Sequence, residues 1–388
     1  MSDDSAPTPT ISESEAASPV PAESSPVPPT RRWSRRSTSY RAYRGVVRLI
    51  QVLRANVLSL VGFILVVLIT GGAFIIWVVP TFTGFFAQPI VLFHLFGHTV
   101  AFPQLFRMSY SVLPYGPNQI SPTTAPQPPS WQHWFGTDNL GRDIFSRTLY
   151  AAPLDLGIGI SITGISLLIG GGLGLVSGYW DSPGPWRRIL SATILRVTDV
   201  FLAFPSLVLA LALAAIFGRG LGAGYLSLLL TWWPYYVRLV RGEVLAIKYQ
   251  PYVVAARAAG VSDTRILTRH VLRNIVEPIV VYFTLDIGSV LVTFSTISFV
   301  GVGPNSSVPE WGSMVQYYQT AGFLLTYPWT IAAPGLAIFI SVLAFSLLGD
   351  GLRDVLDPRT RRALSAADTD TRLPEEAPAT PIPNVAPE

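Results

Sequence analysis

The chain has 388 residues, half of them hydrophobic and only 13% charged, with a formal net charge of +4 and a mean hydropathy of +0.44. A soluble domain carries about a quarter charged residues, so the composition points to an all-α polytopic membrane protein. No cysteine is present, which excludes a disulfide framework, a thiolate metal site and a cysteine nucleophile.

Residues 1–40 read as a disordered cytoplasmic tail. They are rich in Pro, Ser and Ala, carry the acids Asp3, Asp4 and Glu13, and bury too little apolar surface to offset their ordering entropy. The acidic start is unlike a secretory signal, which begins basic and then turns apolar. The first apolar run is therefore an uncleaved anchor. This first span covers about 57–79 and follows Arg31, Arg32, Arg35, Arg36, Arg41, Arg44, Arg48 and Arg54. Basic residues stay on the cytoplasmic side, which places the N-terminus inside.

Residues 80–153 read as one long external loop with interfacial aromatic pieces. "QPIVLFHLFGHTVAF" is apolar but short, and a crossing there would put every later basic loop outside. A second span follows at about 154–178, rich in glycine, then the cytoplasmic loop "WDSPGPWRR" with Arg187 and Arg188. The third span is 195–217 and the fourth 221–239, kinked at Pro234. A basic region, 238–274, precedes the fifth span at 277–300. An external loop leads to the sixth span at 327–348. The arginines of "GDGLRDVLDPRTRR" and a mostly disordered tail, 351–388, are cytoplasmic. Six spans with both ends inside satisfy the charge rule at each cytoplasmic loop.

Several chemistries are missing. There is no GxxxxGK[ST], HExxH or GxSxG in the sequence, so neither a P-loop nor these two catalytic motifs is available. "GGGLG" at 170–174 lies inside a span without a following Lys-Ser/Thr, and small residues there let helix backbones approach. His94 and His98 could share a helix face, but two ligands without a carboxylate make a poor metal site, so no metal or other cofactor is expected. "FGTDNLGRD" at 135–143 lacks calcium-loop spacing and is dense in turn formers; Asp138 or Asn139 is placed to form an Asx-turn. Asp286 lies inside the fifth span. Intramembrane charges usually face the bundle interior or a water-filled cavity, so Asp286 either lines a pathway or subunit interface or is a hydrogen-bonded packing residue.

"YVVAARAAGVSDTRILTRHVLRN" at 252–274 interrupts the apolar pattern. Ala255 and Ala256 lie in good helix sequence, and Gly260 suits a helix stop. Ser262 can cap a second helix whose positive end suits Asp263. Arg265, Arg269, His270 and Arg273 then lie along that helix. An amphipathic helix on anionic headgroups has the same charges, but the Gly-Ser break favours a shaped plug.

At these residues the sequence resembles the EAA loop of type-1 ABC importer permeases. "FGTDNLGRDIFSR" at 135–147, "ISFVGVG" with "WGSMV" at 297–315, and "PWTIAAPGLAIFISVLAFSLLGDGLRDVLDPR" at 328–359 resemble the C-type membrane subunit of the dipeptide/oligopeptide permease family. The resemblance covers about 41–359 in four ordered motifs. Val254 stands where the motif has Glu, Arg273 where Pro usually precedes Asn274, and Phe294 where many members have an acid.

The resemblance implies a six-helix permease fold, with 41–153 holding the first helix and its long loop, and 154–350 the remaining five helices and the coupling loop. It implies a transport subunit without catalytic residues, one of two different permease subunits embedded in membrane lipid, with no nucleic acid partner. Cytosolic ATPases would dock on Ala255, Ala256, Gly260, Ser262, Asp263, Arg265, Arg269, His270 and Asn274. An external binding protein would deliver cargo near Gly136, Thr137, Asp138, Gly141, Arg142, Asp143 and Trp311. Family members carry peptides, nickel, sugars and other solutes. The alternative is an ion-coupled carrier acting alone, which requires several buried ionisable groups near the midplane; Asp286 alone qualifies clearly.

Overall fold

The computed structural model describes residues 57–78, 91–95, 98–101, 113–121, 126–180 and 184–356. The expected tails, 1–40 and the part of 351–388 beyond 356, lie outside them. Ten helices and one hairpin make up the described residues. α1 is Val57–Val78, and β1 (Val91–Leu95) pairs antiparallel with β2 (His98–Ala101). α2 is Ile144–Tyr179, α3 Pro185–Leu202, α4 Ser206–Phe217, α5 Leu221–Lys248 and α6 Pro251–Ala258. α7 runs from Asp263 to Val302 as one helix of 40 residues. α8 is Trp311–Thr320, α9 Phe323–Thr326 and α10 Pro328–Leu356.

The architecture is all-helical as expected except for the hairpin. His94 and His98 therefore stand on paired strands, with His94 opposite Thr99 and His98 opposite Leu95, and not on one helix face. Val, Thr and Phe favour a pleated chain, which explains why this short apolar stretch does not become a helix.

The expected count of six spans is not met among the described residues. Four helices are long and apolar enough to cross a membrane: α1, α2, α7 and α10. The third expected span is broken into α3 and α4, bent by 87°, and counts as a fifth only if taken together. Pro205 forces the break: it follows Phe204 and stands directly before the first residue of α4. α5, the fourth expected span, is 28 residues long but falls outside the apolar set. Its Trp232, Trp233, Pro234, Tyr235, Tyr236, Arg238, Arg241 and Glu243 dilute its hydropathy. It is nevertheless a central element, because its apolar and small residues pack inside the bundle.

Two boundaries also differ. α2 starts at Ile144, so Pro153, expected to end the external loop, lies within the helix. Asp143 starts α2 by accepting the Ser146 N–H at 2.7 Å, and proline inside a membrane helix is tolerated where neighbouring helices satisfy the freed carbonyl. At 36 residues the helix is about 54 Å long, far more than the about 30 Å hydrocarbon layer, so its ends project beyond it. The second short helix of the 252–274 loop is likewise not separate. It continues through a π-turn at Leu267–Val271 into the rest of α7. With Arg273 where proline would stand, nothing interrupts the helix before Pro278.

The α2–α5 contact is built on glycine. A Cβ at Gly170 would lie 2.1 Å from the Trp233 carbonyl oxygen, one at Gly174 2.6 Å from that of Val237, and one at Gly178 3.0 Å from Val244. These positions recur every fourth residue, so they form one stripe, and backbone-to-backbone approach replaces side-chain packing. Around it, Leu154, Ile158 and Ile162 meet Tyr225, Leu228 and Trp232 of α5 and Val290, Phe294 and Ile297 of α7. Phe294 is thus core, packed against Gly224. A second core joins Ala73 of α1, Leu156 of α2, Leu291 of α7, Trp311 and Tyr318 of α8, and Phe345 of α10.

Candidate functional site

The 252–274 loop is anchored by its apolar residues and exposes its polar ones. Val253, Ile266, Val271 and Ile275 are fully buried against Tyr179, Val240 and Val244. Ala255, Gly260, Ser262, Asp263, Arg265, Arg269 and Asn274 are exposed, and Ala256 and His270 are half-buried. Gly260 closes α6 with φ of 76°. The Val261 N–H donates to the Ala256 carbonyl and the Gly260 N–H to that of Arg257, the paired bonds that end a helix on a left-handed glycine. Ser262 occupies the capping position of α7, but its side chain makes no capping bond. Asp263 instead accepts from the Tyr179 hydroxyl at 2.8 Å and faces Arg187 at 3.5 Å, which ties the loop to the ends of α2 and α3. Asn274 donates its side-chain amide to the His270 carbonyl.

Lys248 was not singled out in the sequence. It is 2% exposed and donates to the Tyr179 carbonyl at 2.9 Å and, more weakly, to that of Gly178 at 3.5 Å. A cation on the last carbonyls of a helix is favoured by the dipole, so Lys248 fixes the end of α2 to α5 one turn before the loop begins. A lysine closing a long helix reads as a solvated end; only the α2–α5 approach shows what it caps.

At the opposite end of α2, Gly136, Thr137, Asp138, Gly141, Arg142 and Asp143 are all buried. Asp138 forms the expected Asx-turn, accepting the Leu140 and Arg142 N–H groups on Oδ1, each at 2.9 Å, and Arg142 Nε on Oδ2 at 2.7 Å. Arg142 and Arg147 both donate to the Ser306 carbonyl, and Arg147 also to that of Pro117. Asp143 bonds His133 Nδ1 at 2.9 Å. A Cβ on Gly136, whose φ is 69°, would lie 2.3 Å from the Gln127 carbonyl oxygen. The signature residues thus form a knot that joins the start of α2 to the segment after α7, while Trp131, Trp134 and Leu140 face outward.

Trp311 is similarly internal. Its backbone N–H donates to Asp155 Oδ2 at 3.0 Å and its indole to the Thr148 carbonyl at 2.8 Å. Glu310 starts α8, accepting from Gly312 and Ser313, and its complete burial raises the carboxyl above the usual range. Asp286 accepts on Oδ2 from Trp232 Nε1 at 2.7 Å and the Tyr236 hydroxyl at 2.8 Å. It lines a cleft of about 340 Å³ between α5 and α7 with Tyr235, Tyr236, Leu239, Tyr282, Leu285 and Ser289. A second cleft, of about 350 Å³, shares Tyr282 and Leu285 and is also lined by Glu243, Glu277 and Arg353. Among the described residues no three His, Asp or Glu side chains stand together as metal ligands.

A long-helix bundle with an aromatic-walled cleft that holds a carboxyl group, and an exposed helical loop at one end, has the build of an integral membrane transport component. Residues 170–362 match the family described as binding-protein-dependent transport system inner membrane component, and the chain belongs to that family. It is 39% identical over 244 residues to the dipeptide transport system permease protein DppC of Alkalihalophilus pseudofirmus, covering 63% of this chain and 77% of that one. It is 43% identical over 233 residues to the glutathione transport system permease protein GsiD of Escherichia coli O6:K15:H31, covering 60% of this chain and 74% of the other. A chain of the MetNI methionine ABC transporter in inward facing conformations is 20% identical at a TM-score of 0.42, over 52% of this chain and 94% of that one. The family match and the two permease relatives lend no support to an ion-coupled carrier acting alone.

Proposed function

We propose that the chain is one of two different permease subunits of an ATP-driven importer, that it pairs with a second permease, and that it carries a peptide-sized solute handed over by an external binding protein. The observation that carries this reading is the loop 251–274. Its buried residues lock it to α2 and α5, and its exposed basic face is left for a partner. Cytosolic ATPases seat on that face. Their closure on ATP moves α6 and the start of α7, and the continuous α7 passes the motion to the Asp286 cleft 20 or so residues further on, about 30 Å by helical rise. The peptide assignment rests on the two relatives named for dipeptide and glutathione transport. The buried signature knot supports delivery indirectly, by fixing the outward Trp131 and Trp134.

Orientation is tested directly, because the sequence has no cysteine. In intact cells a membrane-impermeant thiol reagent should label Trp131→Cys and spare Ser262→Cys, and Ser262→Cys should react once the cells are opened. Labelling of Ser262→Cys from outside overturns the reading. Co-purification of an ATPase with the wild-type chain is the second expected result.

A further inference from the structure

We propose that the cleft at Asp286 is a subsite for an alkylammonium group, the positively charged amine of the cargo. The proposal rests on the pathway reading above and adds to it the chemistry of what passes.

The carboxylate is held for this role. Trp232 and Tyr236 both donate to Oδ2, whereas Oδ1 takes no hydrogen bond among the described residues. A carboxylate in the middle of a membrane helix calls for a partner that offsets its desolvation, yet among the described residues no Lys, Arg or His lines its cleft. The walls are instead aromatic, Tyr235, Tyr236 and Tyr282, with leucines and Ser289. Tyrosine faces attract an ammonium ion and tolerate its alkyl chain, and the free carboxylate oxygen supplies a charge-assisted bond. The volume is at the lower end of small-ligand pockets, about 300–1,000 Å³. The adjoining cleft continues the pattern with Glu243 and Glu277 beside Arg353. An anionic group would meet Asp286 with no cation in the same cleft among the described residues.

The complex purified with its partner subunits is to be heated with increasing n-propylammonium chloride, against sodium chloride at equal ionic strength and against neutral N-propylacetamide. Propylammonium alone should raise the unfolding midpoint with a saturable dependence. Asp286→Asn should shift the half-effect concentration upward by about tenfold or more, which corresponds to a lost charge-assisted contact. Ser289→Lys lies one turn from Asp286 and supplies an internal ammonium, so it should abolish the response while keeping the assembly, whatever the folding of the asparagine variant. No propylammonium effect in the wild-type complex, an equal effect of N-propylacetamide, or an undiminished effect in Ser289→Lys overturns the site. Binding is read without transport. A complex that binds propylammonium but imports nothing would refute the pathway reading and leave the subsite intact.

Discussion

Gly260 concentrates the coupling question in one residue. Its φ of 76° is open to glycine and disfavoured for side-chain-bearing residues. A Cβ there would meet nothing within 4 Å, so a substitution is penalised by the backbone alone. That separates conformation from packing. Gly260→Val should strain the turn by about 1–3 kcal/mol, because a β-branched residue is an outlier in the left-handed region. Gly260→Asn, which tolerates that region, should behave nearly as wild type. In the reconstituted complex, cargo-stimulated ATP hydrolysis should fall with valine and persist with asparagine, at unchanged subunit stoichiometry. Equal behaviour of the two variants would mean that the bend between α6 and α7 does not matter. This residue was legible in the sequence because glycine before Ser-Asp signals a helix stop followed by a helix start. Ser262 was legible only as a position, since the capping bond it was expected to make is replaced by the Asp263–Tyr179 contact, which joins residues 84 apart.

At the scale of elements, the α2–α5 pair decides whether the bundle holds. The second span carries eight glycines, and their spacing does not say which face they share or what they meet. Only the crossing with α5 distinguishes them. Gly170 touches the Trp233 backbone, whereas Gly172, two residues on, has nothing within 4 Å of a built Cβ. Gly170→Ala should therefore push the helices apart and destabilise by about 1–3 kcal/mol, the usual cost of overpacking. Gly172→Ala should be neutral or slightly stabilising, since alanine is the better helix former. Thermal unfolding of the two variants in one detergent gives the comparison, and equal midpoints would contradict the stripe. The same element shows why six spans are not met by length and apolarity among the described residues. The charge rule needs a crossing at 221–239 but says nothing of composition, and the Trp- and Tyr-rich middle of α5 is accommodated by burial and by Asp286, neither visible as periodicity. The bend between α3 and α4 was similarly hidden, because an apolar run with Phe204-Pro205 at its centre reads as one span until the 87° angle is seen.

For the molecule as a whole, the family and its order of motifs were readable from the sequence, while the internal wiring was not: the turn-rich signature loop is a buried knot whose neighbours Trp131 and Trp134 are exposed. Function then depends on what the two ends of the bundle do together. One end is fixed by Asp138, Arg142, Arg147 and the Ser306 carbonyl, and the other exposes Arg265 and Arg269 beside an anchored loop. If partner ATPases dock on the exposed end by charge, Arg265→Glu should weaken docking, and the defect should be largest at low salt, where exposed charges are least screened. Among the described residues the Arg265 side chain makes no hydrogen bond or ion pair, and its neighbour Ile266 carries the burial, so the fold and the pairing of permeases should survive. A helix lying on anionic headgroups also loses affinity when arginine becomes glutamate, so the two cases part on a different observable. Docking predicts that ATPase subunits are lost from the detergent-purified complex, where no lipid surface remains, and that raising salt narrows the gap between variant and wild type. Headgroup contact predicts full ATPase occupancy in detergent and a defect only in vesicles containing anionic lipid. Subunit stoichiometry at two salt concentrations decides between them, and full occupancy of Arg265→Glu at low salt would remove this loop as the charged seat of the ATPase.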